Sequence, residues 1–199
     1  MIRRVAFVLL VSTAAMAQEK PHDHHHDAGA AASVPQTKPS IPDLLLVDQD
    51  GEKVRFYSDL VKGKVVAINF IFTTCTTICP PLGATFGRIQ ELLGERMGSD
   101  LQLISISIDP AVDTPRRLKA WSDKFHRKAG WTLVTGPKPD VDTLLSALQS
   151  EASGKADHTP MVLIGNDATG TWTRAYGLGG ASQVAKIIES VSRRAQAAR

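Results

Sequence analysis

Residues 64–72, KVVAINFIF, form a nearly continuous apolar run rich in β-branched side chains. A run of that length without polar alternation predicts a central strand covered on both faces, rather than one with a wet side. Residues 101–108, LQLISISI, predict a second strand of the same kind. Between the two, Leu82, Phe86, Ile89, Leu92 and Leu93 recur at helical spacing, which predicts a helix over 82–97.

Around this centre the pattern alternates. Residues 44–47 and 54–57 read as strands joined across Asp48-Gln49-Asp50-Gly51, an N-terminal β-hairpin. Asp113-Thr114-Pro115 marks a helix start: Asp113 or Thr114 can cap, and Pro115 suits the first helical position. That helix is expected to run to about His126. Residues 131–135 predict a third central strand and 140–150 a third helix. Residues 161–164 and 171–174 predict an antiparallel pair across the turn 166–170. Val184, Ile187, Ile188 and Val191 predict a closing helix. Strands alternating with helices, followed by a hairpin and a helix, predict an α/β layer fold with helices on both faces of the sheet. Neither GxGxxG nor GxxxxGK[ST] occurs, which argues against a nucleotide-binding enzyme.

The N-terminal segment reads differently. Arg3 and Arg4, a short apolar run over 5–11, and Ala15-Met16-Ala17 make residues 1–17 a signal peptide cleaved after Ala17. No cysteine follows the run, so a lipid anchor is not expected. The expected location is periplasmic or otherwise extracytoplasmic, with no transmembrane anchor left after cleavage. Residues 18–40 are rich in Pro, Ala, Ser and charge, and read as a disordered linker preceding a domain over 41–199. The linker carries His22, His24, His25 and His26, a cluster able to hold copper, nickel or zinc as an auxiliary site, or simply to be solvated. The chain has 23 Lys+Arg against 20 Asp+Glu, and two of those arginines fall in the leader. So balanced a charge argues against nucleic acid as a partner.

Both cysteines lie in Cys75-Thr76-Thr77-Ile78-Cys79-Pro80-Pro81, just after a central strand and at the mouth of a helix. Helix N-termini present free N–H groups and a positive dipole end, so one or both thiol pKa values should fall. Three intervening residues place the sulfurs about one helical turn apart on the same side. A pair so held can form a disulfide or chelate one soft metal ion, Cu(I) or Zn(II). Two thiolates leave a metal site incomplete. Outside the linker the chain has two histidines: His126, which reads as a surface residue at a helix C-terminus, and His158, in the loop entering the last hairpin. A structural zinc site needs four ligands and haem attachment needs Cys-x-x-Cys-His, so neither is favoured.

Cys75-Thr76-Thr77-Ile78-Cys79-Pro80, Asp157-His158-Thr159 and the segment from Asp109-Pro110 to Asp113-Thr114-Pro115 together resemble the Sco/SenC family over about residues 41–191. The resemblance implies a thioredoxin-like fold, here with a central mixed β-sheet. It implies a copper metallochaperone that holds Cu(I) or Cu(II) through Cys75, Cys79 and His158. Asp157 would orient His158 or cap locally. The implied partner is the copper-site subunit of cytochrome c oxidase, or another periplasmic cuproprotein, to which copper is delivered or whose thiols are kept reduced. Asp109 and Asp113 are read as turn and cap residues. Pro160, or a residue beside it, stands where thioredoxin-like folds keep a cis-proline. The alternative is a thiol–disulfide oxidoreductase working through the Cys75/Cys79 pair, although dedicated enzymes of that fold usually carry Cys-x-x-Cys. A peroxidase with Cys75 as its reactive thiolate is a weaker third reading.

Overall fold

The computed structural model describes residues 33–150 and 159–193. The 64–72 run becomes β4 (Val65–Ile71) and the 101–108 run becomes β5 (Leu101–Ser107), each buried along its whole length. They pair in parallel, Val65 with Leu101 through Ile71 with Ser107. The connection is α1 (Cys79–Leu93) and a short 3-10 turn. Then come α2 (Pro115–Asp123), β6 (Trp131–Thr135), α3 (Lys138–Ala147), β7 (Met161–Asn166), β8 (Thr171–Tyr176) and α4 (Ala181–Arg193). Before β4 lie β1 (Val34–Gln36), β2 (Leu45–Asp48) and β3 (Lys53–Arg55). The eight strands form one mixed sheet in the order β1-β8-β7-β4-β5-β6-β2-β3.

The pleat of β4 divides the core in two. Val65, Ala67 and Ile71 face α1, α2 and α4, in a cluster that holds Cys75, Cys79, Phe86, Leu118, Trp121 and Val184. Val66, Ile68 and Phe70 face the other way, toward α3 and the turn carrying Phe56 and Leu60. Helices therefore cover both faces, and the fold is thioredoxin-like α/β as expected. Fully burying an aliphatic or aromatic side chain such as Phe86 or Ile89 is worth about 1.5–3 kcal/mol, so these two layers supply most of the drive to fold. No helix among the described residues is long and apolar enough to cross a membrane.

Two local readings differ from the structure and one open choice is settled by it. Residues 34–36, placed in the linker, form β1 and pair with β8, Val34 opposite Arg174. Lys38 then bonds to Asp167 at 2.8 Å, and Asp167 also accepts the Gly63 N–H at 2.9 Å, which fastens the entering chain to the body. Residues 56 and 57, read as strand, instead open a wide helical turn, Phe56–Val61. The Asp59 carboxylate accepts the Arg55 N–H at 2.7 Å, and this turns Phe56 into the core. The Asp113/Thr114 choice resolves to Thr114, whose hydroxyl accepts the Arg117 N–H.

Helix α1 packs closely on the loop after α2. A Cβ at Gly87 would lie 2.5 Å from the backbone oxygen of Phe125, which cannot rotate aside. Gly87→Ala should therefore destabilise the protein by about 1–2 kcal/mol despite alanine's better helix propensity. A lowered urea midpoint with an unchanged m-value checks this.

Candidate metal centre

The site is built where β4 ends. After Ile71 the chain leaves a doubly buried strand, so its exposed backbone groups need partners. Asp113, fully buried, supplies them. Its carboxylate accepts the Thr73 N–H at 3.1 Å, the Thr73 hydroxyl at 2.5 Å and the Ser107 hydroxyl at 2.7 Å. It thereby joins the exits of β4 and β5. Arg117 adds a bond from Nε to Thr73 Oγ1 at 3.2 Å. Asp109 closes the preceding turn, its carbonyl accepting from Val112 and Asp113 at 2.9 Å each. Asp113 is thus no helix cap, contrary to the sequence reading, but the anchor of the cysteine loop. The clue was available: Asp113 and Thr114 are both capping residues, and a helix has room for one N-cap.

The anchored loop sets Cys75 over the start of α1. Ile78 occupies the N-cap position and offers no side-chain bond, while Pro80 and Pro81 fill first-turn positions without N–H groups. The Cys75 sulfur takes the capping role itself, accepting the Cys79 N–H at 3.3 Å. Thr77 Oγ1 lies 3.8 Å from the same sulfur. Both thiols are free; Cys75 keeps 8% of its surface and Cys79 none.

That difference makes the pair asymmetric. Burial acts to raise the Cys75 pKa, but hydrogen bonds from the Cys79 thiol and N–H and from Thr77 outweigh it, and the net shift is downward. For Cys79 burial dominates. The neighbouring Cys75 and the negative charge of Asp113 push the same way, and the pKa rises to about 12. The expectation that the helix terminus lowers one or both thiols holds for Cys75 alone, because Cys79 sits too deep for the dipole to offset its desolvation.

Cys75 and Cys79 are the sequence-predicted donors that the structure brings together. His158 and Asp157 lie outside the described residues, as do His22, His24, His25 and His26. Among the described residues no group of three His, Cys, Asp or Glu side chains is arranged to hold a metal ion. His126 is exposed, at φ 54° just beyond α2, in keeping with a surface role. The peptide bond before Pro160 is trans. The Pro160 carbonyl accepts the Gly177 N–H at 2.7 Å. Gly177 in turn packs so closely on Leu82, one helical turn from Cys79, that a Cβ there would overlap it.

A family model described as SCO1/SenC matches residues 33–193. The chain belongs to the SCO1/SenC family. The SCO1 protein homolog of Bacillus subtilis (strain 168) is 38% identical over 90 residues, 45% of this chain and 45% of that protein. The matched stretch thus spans about half the length of this curated relative. The solved structure of BsSco superposes with a TM-score of 0.64 at 26% identity, covering 80% of this chain and 96% of that one. BsSco is described as having a disulfide switch and as a member of the Sco family of cytochrome c oxidase assembly proteins. ScoI of Bradyrhizobium japonicum with copper bound shares the fold, with a TM-score of 0.61 at 19% identity over 81% and 99% of the two chains.

Two outcomes follow from the site. Iodoacetamide should modify Cys75 with a pH midpoint below the ordinary thiol value, because the folded protein favours its thiolate. Cys79 should stay unmodified to about pH 10, two units below its own midpoint; peptide mapping by mass spectrometry separates the two. Asp113→Ala leaves the half-buried Thr73 and the buried Ser107 donors without their acceptor, at about 1–3 kcal/mol for the buried one. Urea unfolding should show that loss, and an unchanged midpoint would remove Asp113 from its anchoring role.

Proposed function

We propose that this SCO1/SenC protein is an exported copper chaperone in which Cys75, Cys79 and His158 hold one copper ion for delivery to the dinuclear copper site of cytochrome c oxidase. The observation that carries the reading is two free sulfurs in the core cluster that also holds Val162 of β7. Pro160 is tied through Gly177 to the first turn of α1, and His158 is two residues before Pro160 in sequence. A neutral imidazole delivered there would complete a three-donor site of the soft type that suits Cu(I), and Cu(II) with further N or O donors. Asp157 is the proposed orienting partner of that imidazole. The copper-bound relative and the assembly role of BsSco support the cargo and the recipient.

Copper is the cargo, and the chain's own groups handle it. Cys75, with its lowered pKa and partial exposure, is the sulfur an incoming ion meets first. Cys79 binds as its thiol proton leaves. An acceptor protein offering thiolates takes the ion by exchanging these ligands one at a time. The loop held by Asp113 fixes the spacing of the two sulfurs through the exchange.

The same asymmetry supports a second reading, maintenance of the acceptor's thiols. Cys75 would attack a target disulfide as thiolate, and Cys79 would resolve the mixed disulfide once deprotonated. Copper stoichiometry decides between them. The reduced protein should bind one copper per chain, and His158→Ala should weaken binding by at least about tenfold. Undiminished copper affinity in His158→Ala would remove the histidine from the site. No copper at the sulfurs in either chain would leave the redox reading.

A further inference from the structure

The geometry points to Arg117 as a specificity-determining residue: it is placed to take a carboxylate that the acceptor protein carries beside the sulfur it presents to Cys75. The inference rests on the delivery reading above and names the chemistry of the acceptor's contact surface. It applies equally to maintenance of the acceptor's thiols, since either way a foreign sulfur must come to Cys75.

Arg117 is fastened to the same turn that carries the more accessible thiol. The Cys75 N–H donates to the Phe72 carbonyl at 3.1 Å, which makes 72–75 a β-turn with Thr73 at its second position. Arg117 Nε donates to Thr73 Oγ1 at 3.2 Å. The ends of such a turn lie within about 7 Å of each other, so guanidinium and sulfur share one mouth. Nε is committed to Thr73, whereas the two Nη groups make no ion pair among the described residues. Arg116 beside it is exposed and also forms none. By contrast Arg55, Arg88, Arg96 and Arg127 each pair with a carboxylate. An exposed guanidinium held in place without an anion keeps its planar pair of donors for one, and carboxylate geometry fits that pair.

The rest of the mouth offers no competing charge. Thr74, Thr76 and Thr77 are exposed and neutral. The neighbouring acids face inward: Asp113 is fully buried against Thr73 and Ser107, and Asp109 is 8% exposed. A partner approaching from solvent therefore meets positive charge first. Complementary charge of this kind raises the rate of encounter and fixes register, and salt weakens it. A lysine beside the incoming sulfur would meet Arg117 as a like charge.

The test needs no copper, so its outcome stands apart from the copper stoichiometry that decides the reading above. The probes are three synthetic peptides, each with one cysteine activated as its mixed disulfide with thionitrobenzoate. The cysteine is flanked by two Glu, two Gln or two Lys. The Cys75 thiolate attacks the peptide sulfur, a protein–peptide disulfide forms, and thionitrobenzoate leaves with the electron pair of the broken S–S bond. Its absorbance gives the rate on the reduced, copper-free protein. At about 10 mM ionic strength, where charge is felt over about 30 Å, the Glu peptide should react fastest and the Lys peptide slowest. Arg117→Gln should lower the Glu-to-Lys rate ratio by about threefold or more, and about 1 M salt should erase the difference between the two chains. Lys53→Gln removes the same charge from β3, four places along the sheet from β4, and should leave the ratio unchanged. An unchanged ratio in Arg117→Gln overturns the proposal. So do three rates that fall alike, the mark of a residue that only supports the loop. An equal loss in Lys53→Gln overturns it as well, because the net charge of the chain would then suffice. Release from none of the peptides also overturns it, since no acceptor sulfur could then reach Cys75.

Discussion

The Asp113 carboxylate ties together what the rest of the site depends on. A strand buried on both faces satisfies its backbone inside the sheet and loses that support at its last residue. Here the loss falls where two parallel strands, β4 and β5, end side by side. One carboxylate receives donors from both exits, Thr73 and Ser107. The loop beyond Thr73 then has a fixed origin, and Cys75 arrives over the α1 terminus at hydrogen-bond distance from the Cys79 N–H. Without that anchor the sulfur has no reason to serve as a helix cap.

The capping role explains how two cysteines four residues apart come to differ so much. A first-turn N–H must find an acceptor, and no Ser, Thr, Asp or Asn stands at the N-cap position. The sulfur that accepts the bond gains a donor for its charged form. The sulfur that belongs to the donating residue is drawn into the core. Late ionisation is the cost of the burial that lets Cys79 pack against the sheet. A metal ion or a disulfide partner therefore meets a prepared Cys75 and a reserve held behind it.

Much of this fold is legible in the sequence because the central strands are apolar along their whole length and the helices keep their period. The limits of β6 agree with the expectation at both ends, and α1 and β5 agree within a few residues. The failures share a cause: they lie where tertiary partners overrule local pattern. Val34–Gln36 contains a proline in a polar stretch and becomes a strand only because β8 offers an open edge. Phe56 alternates like a strand residue but is turned inward by Asp59. Asp113 looks like a cap because its real donors, Thr73 and Ser107, lie 40 and 6 residues away in sequence. The closeness of the two thiols was legible from their spacing, whereas the opposite displacement of the two pKa values depends on depth, which spacing does not encode.

The two borders of the sheet have a consequence for how the molecule behaves among its own kind. On one side β1 is three residues long and carries Pro35, which has no N–H to lend a further strand. On the other β3 is equally short and presents Lys53 and Arg55, both exposed. A second copy aligned on either border would find a missing donor or a row of like charges. Among the described residues, both borders of the sheet are thus short and disfavour edge-to-edge strand pairing between copies.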